Sequence, residues 1–498
     1  MDYNYKKAGT IFNAHSYWTK QPVEVVQSFI EKYSAPNDIV LDPFCGTGMT
    51  GVASIITGRR YLLSDISPTC IHISKGYCNP LSDTQLLKDV LNKVTKKIER
   101  LYKTDCPVCR NKCDINYCIL TDNFEINGKL RFDRIVFNCV CCGKKIEKNP
   151  SASDVALFNC KDHEKYNYPK EYFFGQEPKR NYRKGIKQVY QLYSRRNLTA
   201  LLELERNIKN IKDKKTRTTF MFAFTSIVFN CSLMSRYNEL YKNTQIRMGT
   251  FYIPKHIKDN NVVSSFKRKL NAIIKSQELI FQKHKSGSGE IILASATDMS
   301  RLKDASVDYI YTDPPYSDKI SYSELNIVYE SWLANGYTDT TEEMIVSKAG
   351  GKSAVDYTEM FRLFLREAFR VLKQDKYITL VFHNSNVEHW SLFQDTIIES
   401  GFTPVVSKLP NRLISKAKTS TQYQSTKISK CFMAFTLKKT IPSKNLSLIK
   451  LDEKEYIKNI KNIKKMAVEC GYITPSDQYD FVINSMIYKY KILGDIEL

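Results

Sequence analysis

The sequence lacks an apolar run long enough to cross a bilayer, which argues against a membrane-spanning helix of about 20 residues. It also lacks a secretory signal, because the first nine residues are polar and include Asp2. We therefore expect a cytoplasmic protein without a membrane partner. A chain of 498 residues, 42% of them hydrophobic, can bury a large core and is expected to divide into more than one domain.

Acidic residues are scarce relative to basic ones: 52 Asp and Glu stand against 75 Lys and Arg, which gives a net charge of +23. Such a charge favours a polyanionic partner, and the DNA backbone is the obvious one. The lysines are spread along the whole chain, so a composition rich in Lys remains an alternative reading. The 14 cysteines, in a long chain that is expected to be cytoplasmic, indicate metal ligands or free thiols and not a disulfide framework.

The stretch 312–316, Thr-Asp-Pro-Pro-Tyr, follows a short β-branched and aromatic run that predicts a buried strand at 306–312. Two prolines cannot continue a strand, so the chain must leave the sheet at Asp313. In open α/β sheets, ligands bind at this carboxyl edge. An acid, proline carbonyls and an aromatic ring can accept hydrogen bonds from an exocyclic amine and stack on the base that carries it. A proline-rich turn without function is the alternative.

A second strand is predicted at 39–41, and Asp42-Pro-Phe-Cys-Gly-Thr-Gly48 follows it before a predicted helix at 49–56. Glycines at such a turn allow positive φ and a close approach of the backbone to a ligand. The next strand, 60–63, leads to Asp65, where doubly wound folds usually hold a ribose hydroxyl. A loop acid and a helix cap are the alternative roles of the two aspartates.

A third motif lies at 15–22, His-Ser-Tyr-Trp-Thr-Lys-Gln-Pro, and leads into a predicted amphipathic helix at 23–33. In this order, the three motifs resemble those of the amino-methylating DNA methyltransferases that use S-adenosylmethionine. The resemblance covers roughly 10–80 and 290–440. It implies an α/β fold with a Rossmann-like methyltransferase sheet, mostly parallel with an antiparallel last hairpin, interrupted by a zinc-ribbon and helical insert.

The resemblance implies methyl transfer from S-adenosylmethionine to the N6 amine of adenine in DNA, after the base has left the duplex. It assigns the amine to Asp313, Pro314, Pro315 and Tyr316. Its cofactor residues, carried onto this sequence, are Tyr17, Thr19, Lys20, Pro22, Asp42, Phe44, Cys45, Gly46, Gly48, Asp65 and Asp298. The family usually has Gly-Asp after the first strand of the second half. Ala294-Ser295 stands there, with Asp298 slightly later, which leaves the contact to the cofactor's adenine open.

Two Cys-rich knuckles, about thirty residues apart, fit a structural zinc ribbon at 103–148. Tetrahedral zinc needs four soft ligands, and each knuckle supplies two in one tight turn. We predict Cys106, Cys109, Cys139 and Cys142 as the ligands. The nearby Cys141, Cys113 and Cys118 compete for these places, and unligated buried cysteines are the alternative.

The motifs divide the chain into a first half of the methyltransferase core at 1–82, an inserted target-recognition region at 83–289, a second half at 290–440 and a helical tail at 441–498. DNA is the expected partner, with a possible restriction or defence-system partner. An Asp before Pro-Pro favours adenine in the family only as a tendency. An N4-cytosine DNA methyltransferase, an RNA amino-methyltransferase and an inert zinc-ribbon DNA-binding regulator therefore stay as alternatives.

Overall fold

The computed structural model of the chain describes residues 2–5, 9–80, 83–123, 129–240, 244–246, 249–284, 288–315, 321–347, 351–382, 393, 395–397, 399–405, 411–415, 431–440, 447–450 and 490–493. The loop residue Tyr316 and most of the predicted tail lie outside these ranges. None of the described helices is long and apolar enough to cross a membrane.

The described strands number eighteen and are named in chain order. They are β1 Asp2–Tyr5, β2 Ile39–Asp42, β3 Arg60–Asp65, β4 Lys103–Asp105, β5 Lys112–Asn123, β6 Lys129–Cys139, β7 Lys144–Lys148, β8 Arg236–Tyr237, β9 Thr244–Gln245, β10 His256–Asn260, β11 Gly289–Leu293, β12 Val307–Thr312, β13 Leu372–Phe382, β14 Phe402–Pro404, β15 Asn411–Ser415, β16 Cys431–Lys439, β17 Ser447–Lys450 and β18 Tyr490–Leu493.

Eleven α-helices fall within the described ranges. They are α1 Thr10–Ala14, α2 Val23–Tyr33, α3 Met49–Thr57, α4 Pro68–Tyr77, α5 Thr84–Thr95, α6 Ala152–Phe158, α7 Arg195–Lys209, α8 Lys214–Val228, α9 Val262–Ile280, α10 Tyr322–Leu333 and α11 Ala354–Val371. Short 3₁₀ helices occupy Ile98–Tyr102, Asp162–Lys165, Glu177–Lys184 and Val189–Leu192.

The central sheet has the strand order β1-β15-β16-β13-β12-β2-β3-β11, with β14 also paired to β16. The five strands from β13 to β11 run parallel to one another. The strand β16 runs antiparallel to both β13 and β15. The predicted fold class, a mostly parallel α/β sheet with an antiparallel last hairpin, is therefore confirmed. Chain order reverses between β2 and β12, the position at which such sheets bind ligands.

Helices cover both faces of this sheet, because side chains alternate between the faces along each strand. On β12, Tyr309 and Tyr311 belong to the core that includes α2 and α3. Ile310 belongs to the opposite core, which includes Phe364 and Leu365 of α11. All six residues of β12 are buried, as expected of a parallel strand with helices on both sides.

The region between the two halves forms a second, largely antiparallel sheet of order β7-β6-β5-β10-β8-β9, with β4 paired to β5. Its helices continue the core of the first sheet. Phe222 of α8 lies 4.9 Å from Tyr77 of α4, measured between ring centroids, and Phe224 lies 5.4 Å from Trp332 of α10. This region is therefore packed onto the central sheet.

Candidate active site

The carboxyl ends of β2, β3 and β12 meet at one edge of the sheet and bring Asp42, Asp65 and Asp313 to a common cavity. Sequence motifs that lie almost 300 residues apart therefore face the same space. The parallel arrangement explains this, because parallel strands place all their carboxyl ends on one side.

Asp42 links the two halves of the central sheet. Its Oδ1 accepts hydrogen bonds from the Thr312 hydroxyl at 2.7 Å and from the Phe44 N–H at 3.2 Å, and its Oδ2 accepts one from the Thr50 hydroxyl at 2.5 Å. Burial raises the pKa of this carboxyl to about 7, although these three bonds oppose the shift. The side chain thus shapes the turn after β2 while it also lines the cavity.

Asp65 holds the glycine turn from the neighbouring strand. Its two oxygens accept the N–H of Gly46 and the N–H of Ser67, each at 2.9 Å. Burial raises the pKa of Asp65 to about 6. Gly46 has φ +49°, and a Cβ built there would meet nothing closer than 4.0 Å, so the turn leaves room for a ligand over its backbone.

Gly48 serves helix packing more than ligand access. It begins α3 in the left-handed region, with φ +76°. A Cβ at this position would lie 2.7 to 2.9 Å from Oγ, Cβ and Cα of Ser74 on α4. Glycine therefore lets α3 and α4 approach each other directly behind the turn.

The segment 15–22 forms another wall of the cavity. Tyr17 stacks on Tyr322, with ring centroids 6.3 Å apart, and the Thr19 hydroxyl bonds the Tyr322 hydroxyl at 2.9 Å. Asn326 of α10 accepts from the indole N–H of Trp18 at 2.9 Å and donates to the Tyr17 oxygen at 3.2 Å. These bonds attach the N-terminal motif to the helix that follows the loop 313–315.

Lys20 lines the cavity, but its ammonium group bonds to backbone carbonyls outside the cavity. Its ammonium donates to the carbonyls of Phe12 and His15. Burial, followed by repulsion from Lys269, lowers its pKa to about 7. These two hydrogen bonds therefore fix Lys20 to the end of α1.

The loop after β12 is contacted from two sides. Gln21 donates from Nε2 to Asp313 Oδ2 at 2.5 Å, and the Tyr357 hydroxyl of α11 donates to the Pro315 carbonyl at 2.8 Å. Asp313, Pro314 and Pro315 all line the cavity. The fourth predicted amine-binding residue, Tyr316, lies outside the described residues.

The cavity brings together eight of the predicted cofactor residues: Tyr17, Thr19, Lys20, Asp42, Phe44, Cys45, Gly46 and Asp65. Pro22, Gly48 and Asp298 do not line it. Pro22 begins α2, and Asp298 lies in an adjoining depression, where its carboxylate accepts the N–H of Ser300 at 3.0 Å. Further lining residues that the sequence did not indicate are Gln21, Cys70, Ser295, Tyr322, Asn326, Thr338, Glu342, Glu343 and Met344. Of these, Gln21 and Ser295 had a signal, because Gln21 belongs to the motif at 15–22 and Ser295 stands where the family usually has Gly-Asp.

The cavity walls suit a cationic ligand. Among the described lining residues are five acids, Asp42, Asp65, Asp313, Glu342 and Glu343, and one cation, Lys20. S-adenosylmethionine carries a sulfonium and an ammonium group, and opposite charges within a few ångströms favour each other. The open turn at Gly46 and the acidic walls therefore fit this cofactor.

Comparison with known proteins supports the N-terminal motifs. Residues 1–76 match a family described as DNA methylase. A stretch of 44 residues is 52% identical to the putative methylase YubD of Escherichia coli (strain K12) and covers 9% of this chain and 19% of that protein. A stretch of 49 residues is 47% identical to the type II methyltransferase M.HinfI of Haemophilus influenzae and covers 10% of this chain and 13% of that protein.

Residues 1–76 are similar to the DNA methylase family. The match contains the segment 15–22, the glycine turn and Asp65. It ends before the loop 313–315, so the assignment of the amine-binding residues stays a prediction. The rRNA methyltransferase aviRa from Streptomyces viridochromogenes is 10% identical over 87% of this chain and 91% of its own, with a TM-score of 0.28. At that score the likeness carries no weight, and the fold assignment of this chain rests on its own strand topology.

The chain also carries a compact group of four cysteines beside the strands of its second sheet. The sulfur atoms of Cys106, Cys109, Cys139 and Cys142 all lie within 4.8 Å of one another. Two of the Sγ–Sγ distances are 3.9 Å (Cys106 to Cys142) and 3.5 Å (Cys109 to Cys139). Tetrahedral zinc with Zn–S bonds of about 2.3 Å requires sulfur atoms about 3.8 Å apart. The group is thus compatible with a structural zinc ion.

The competing cysteines are placed elsewhere. Cys141 is exposed, and Cys118 is buried and accepts a hydrogen bond from Arg196 at 3.1 Å. Cys113 lies near the group, where its thiol donates to the Asn111 carbonyl at 3.6 Å. The structure therefore groups the four predicted ligands and leaves the three alternatives out of the group.

Proposed function

We propose that this protein transfers a methyl group from S-adenosylmethionine to the exocyclic N6 amine of adenine in DNA. One observation carries the proposal: the glycine turn with Asp65 and the loop with Asp313 open onto one acidic cavity at the switch point of the sheet. The first feature belongs to the segment that matches the DNA methylases, and the second offers acceptors for an amine. The chain spans less than a fifth of the curated relatives that it matches, so the reaction itself is part of the proposal.

The cofactor would be held by the turn at Gly46, by the acids Asp42 and Asp65, and by the aromatic wall of Tyr17. When bound, S-adenosylmethionine supplies a methyl group on a positively charged sulfur, which is a good leaving group. The acids favour its positive charge. The stacked side chains of Tyr17 and Tyr322 line the cavity and supply it with an apolar wall.

The adenine amine is a poor nucleophile because its lone pair is delocalised into the ring. Asp313 and the carbonyl of Pro314 can each accept one of its two hydrogens, which favours a pyramidal nitrogen with its lone pair free to react. As nitrogen gains the methyl carbon it becomes positive, and the Asp313 carboxylate stabilises that charge and can take the proton that leaves. Preorganised polar groups directed at the charge that develops in a transition state usually make the largest single contribution to catalysis.

The target base must leave the duplex, because its N6 amine is engaged in base pairing. The inserted region 83–289 is the proposed target-recognition region, and the net charge of +23 supports contact with phosphates. A restriction or defence-system partner remains a prediction. The alternatives of N4-cytosine or RNA as substrate differ from this proposal only in the base or strand that carries the amine.

The test is transfer of labelled methyl groups from S-adenosylmethionine to DNA, followed by digestion and nucleoside analysis. We expect the wild type to yield N6-methyldeoxyadenosine. Asp313→Ala should lower the rate about a hundredfold or more while cofactor affinity is kept. Methylcytosine would select the N4 alternative, label in RNA alone would select the RNA alternative, and no transfer to any nucleic acid would support the inert regulator.

A further inference from the structure

Two side chains from outside the amine-binding loop hold it in place. Gln21 reaches Asp313 across 292 residues of sequence, with 2.5 Å between its Nε2 and Oδ2. Tyr357, which is nearly buried, donates its hydroxyl hydrogen to the Pro315 carbonyl at 2.8 Å. One contact thus acts on the residue that begins the loop and the other on the residue that ends its described part.

The contact to Asp313 fixes how the Gln21 amide is turned. A carboxylate oxygen accepts hydrogen bonds, so the amide must present its N–H₂ group, since the reverse orientation would place two acceptors face to face. In this orientation Gln21 Oε1 is buried and has no hydrogen-bond partner among the described residues. A buried unpaired acceptor is unfavourable, so packing alone does not account for the side chain's position.

Tyr357 makes the two proline carbonyls of the loop unequal. The carbonyl of Pro315 is engaged by the Tyr357 hydroxyl, whereas the described residues donate no hydrogen bond to the carbonyl of Pro314. Both prolines have fixed φ, so few torsions remain between the two anchors. Holding Asp313 on one side and Pro315 on the other therefore sets the direction of the Pro314 carbonyl between them.

We propose that Gln21 and Tyr357 are positioning residues that preset the acceptors of the loop 313–315 for the target amine. Gln21 sets the rotamer of the Asp313 carboxylate, and Tyr357 sets the direction of the Pro314 carbonyl. The inference rests on the proposed function. Acceptors that are already aligned need no reorganisation during the reaction, so the effect falls on the rate of the bound complex and little on binding.

Two nearly isosteric variants test the proposal: Gln21→Met removes the N–H donor, and Tyr357→Phe removes only the hydroxyl. The matched control is Tyr309→Phe, which deletes another buried hydroxyl, bonded to the Thr379 hydroxyl at 2.7 Å on the same sheet. Single-turnover methyl transfer would be measured at saturating DNA and S-adenosylmethionine, with cofactor affinity from calorimetry. We expect each test variant to react roughly tenfold to a hundredfold more slowly, because small misplacements have such effects. Cofactor affinity should stay within about threefold.

A double variant distinguishes a positioning role from general destabilisation, because the rate losses of two residues that act together do not add. In the Asp313→Ala background, Gln21→Met should cause no further loss of rate, because the carboxylate that it positions is gone. Tyr309→Phe should react at nearly the wild-type rate. Wild-type rates in both test variants, or a loss in Gln21→Met that follows entirely from weaker cofactor binding, would overturn the proposal.

Crystal structures of the two variants give a readout that does not depend on activity. If the wild type transfers no methyl group to DNA, the proposed function fails, yet the positions of Asp313 and the Pro314 carbonyl still test the inference. We expect the carboxylate to turn in Gln21→Met and the carbonyl to turn in Tyr357→Phe. An unchanged loop in both variants would refute the positioning role.

Discussion

The buried carboxyl of Asp42 should make stability depend on pH in a defined direction. Only 5% of the residue is exposed, and burial raises its pKa from 3.8 to about 7. The folded state therefore binds this proton more tightly than the unfolded state between these two values. The free energy of unfolding should fall as pH rises through this window. At 1.36 kcal/mol per unit, a shift of about three units corresponds to roughly 4 kcal/mol.

Asp42→Asn removes this titration and keeps the shape of the side chain. The difference in unfolding free energy between the wild type and the variant should change by roughly 4 kcal/mol from pH 4 to pH 8, with the variant gaining relative to the wild type as pH rises. Urea titrations at each pH, monitored by tryptophan fluorescence, would measure it. A difference that stays constant across this range would refute the reasoning.

Asp308→Asn is the matched control, because Asp308 has a similarly small exposed fraction but its pKa is shifted in the opposite direction. Burial works to raise its pKa, but the N–H of Ile39 at 3.0 Å and the ammonium of Lys373 at 2.7 Å outweigh burial and lower it. Its stabilisation is present above the pKa of the unfolded state and is lost as pH falls. The advantage of the wild type over Asp308→Asn should therefore shrink toward low pH, with the slope opposite to that of Asp42→Asn.

Two further predictions concern the metal group and the glycine turn. The wild type and Cys141→Ser should each contain about one zinc per chain by elemental analysis, whereas Cys106→Ser should lose it and unfold more easily; a folded wild type without metal would refute the zinc site. Gly48→Ala should destabilise the protein by more than the roughly 1–2 kcal/mol of left-handed backbone strain, because its Cβ would also collide with Ser74. Gly185→Ala is the control, because Gly185 has the same φ of +76° and nothing within 4 Å of the added Cβ; equal losses by denaturant titration in the two variants would exclude the collision.

The elements of the central sheet could be predicted because their signals are local. Short buried runs gave the strands, and the helix predicted at 23–33 is α2 with the same limits. A predicted helix boundary was wrong where a capping side chain sets the first residue of the helix. The stripe of leucines at 190–211 predicts a single helix. The helix begins instead at Arg195, because the Ser194 side chain accepts the Asn197 N–H at 3.2 Å and the residues before it form a 3₁₀ turn.

The charged amphipathic pattern at 83–102 predicts one helix, but this segment is also divided. It ends at Thr95, and a 3₁₀ turn follows at Ile98–Tyr102. The ring of Tyr102 is fully buried there, and its hydroxyl donates to Asn197 at 2.8 Å. Tertiary contact with α7 thus overrides the helical pattern, and no local signal in the sequence could have indicated it.

The candidate site could be predicted by residue type but not by role. The sequence assigned Asp42 to the cofactor, and the structure shows both of its oxygens engaged by Thr312, Phe44 and Thr50. A direct contact of Asp42 with the cofactor stays a prediction. In the structure, the Asp42 carboxyl lines the cavity and shapes the turn after β2. The contacts of Gln21 and Tyr357 with the loop 313–315 could not be predicted, because they depend on the folded arrangement of distant segments.

One of the contacts between the inserted region 83–289 and the central sheet lies on α10, beside the proposed active site. The Glu324 carboxylate, on the helix that follows the amine-binding loop, accepts the N–H groups of Gln176 and Glu177 at 2.8 and 3.0 Å. Gly175 has φ +80°, and a Cβ there would lie 1.9 Å from the Glu324 carboxyl carbon, so only glycine allows this approach. The same helix bonds Trp18 and Tyr17 through Asn326. A shift of the inserted region would therefore be transmitted through α10 to Tyr17 in the cavity wall, which would couple the proposed target recognition to the proposed site of methyl transfer.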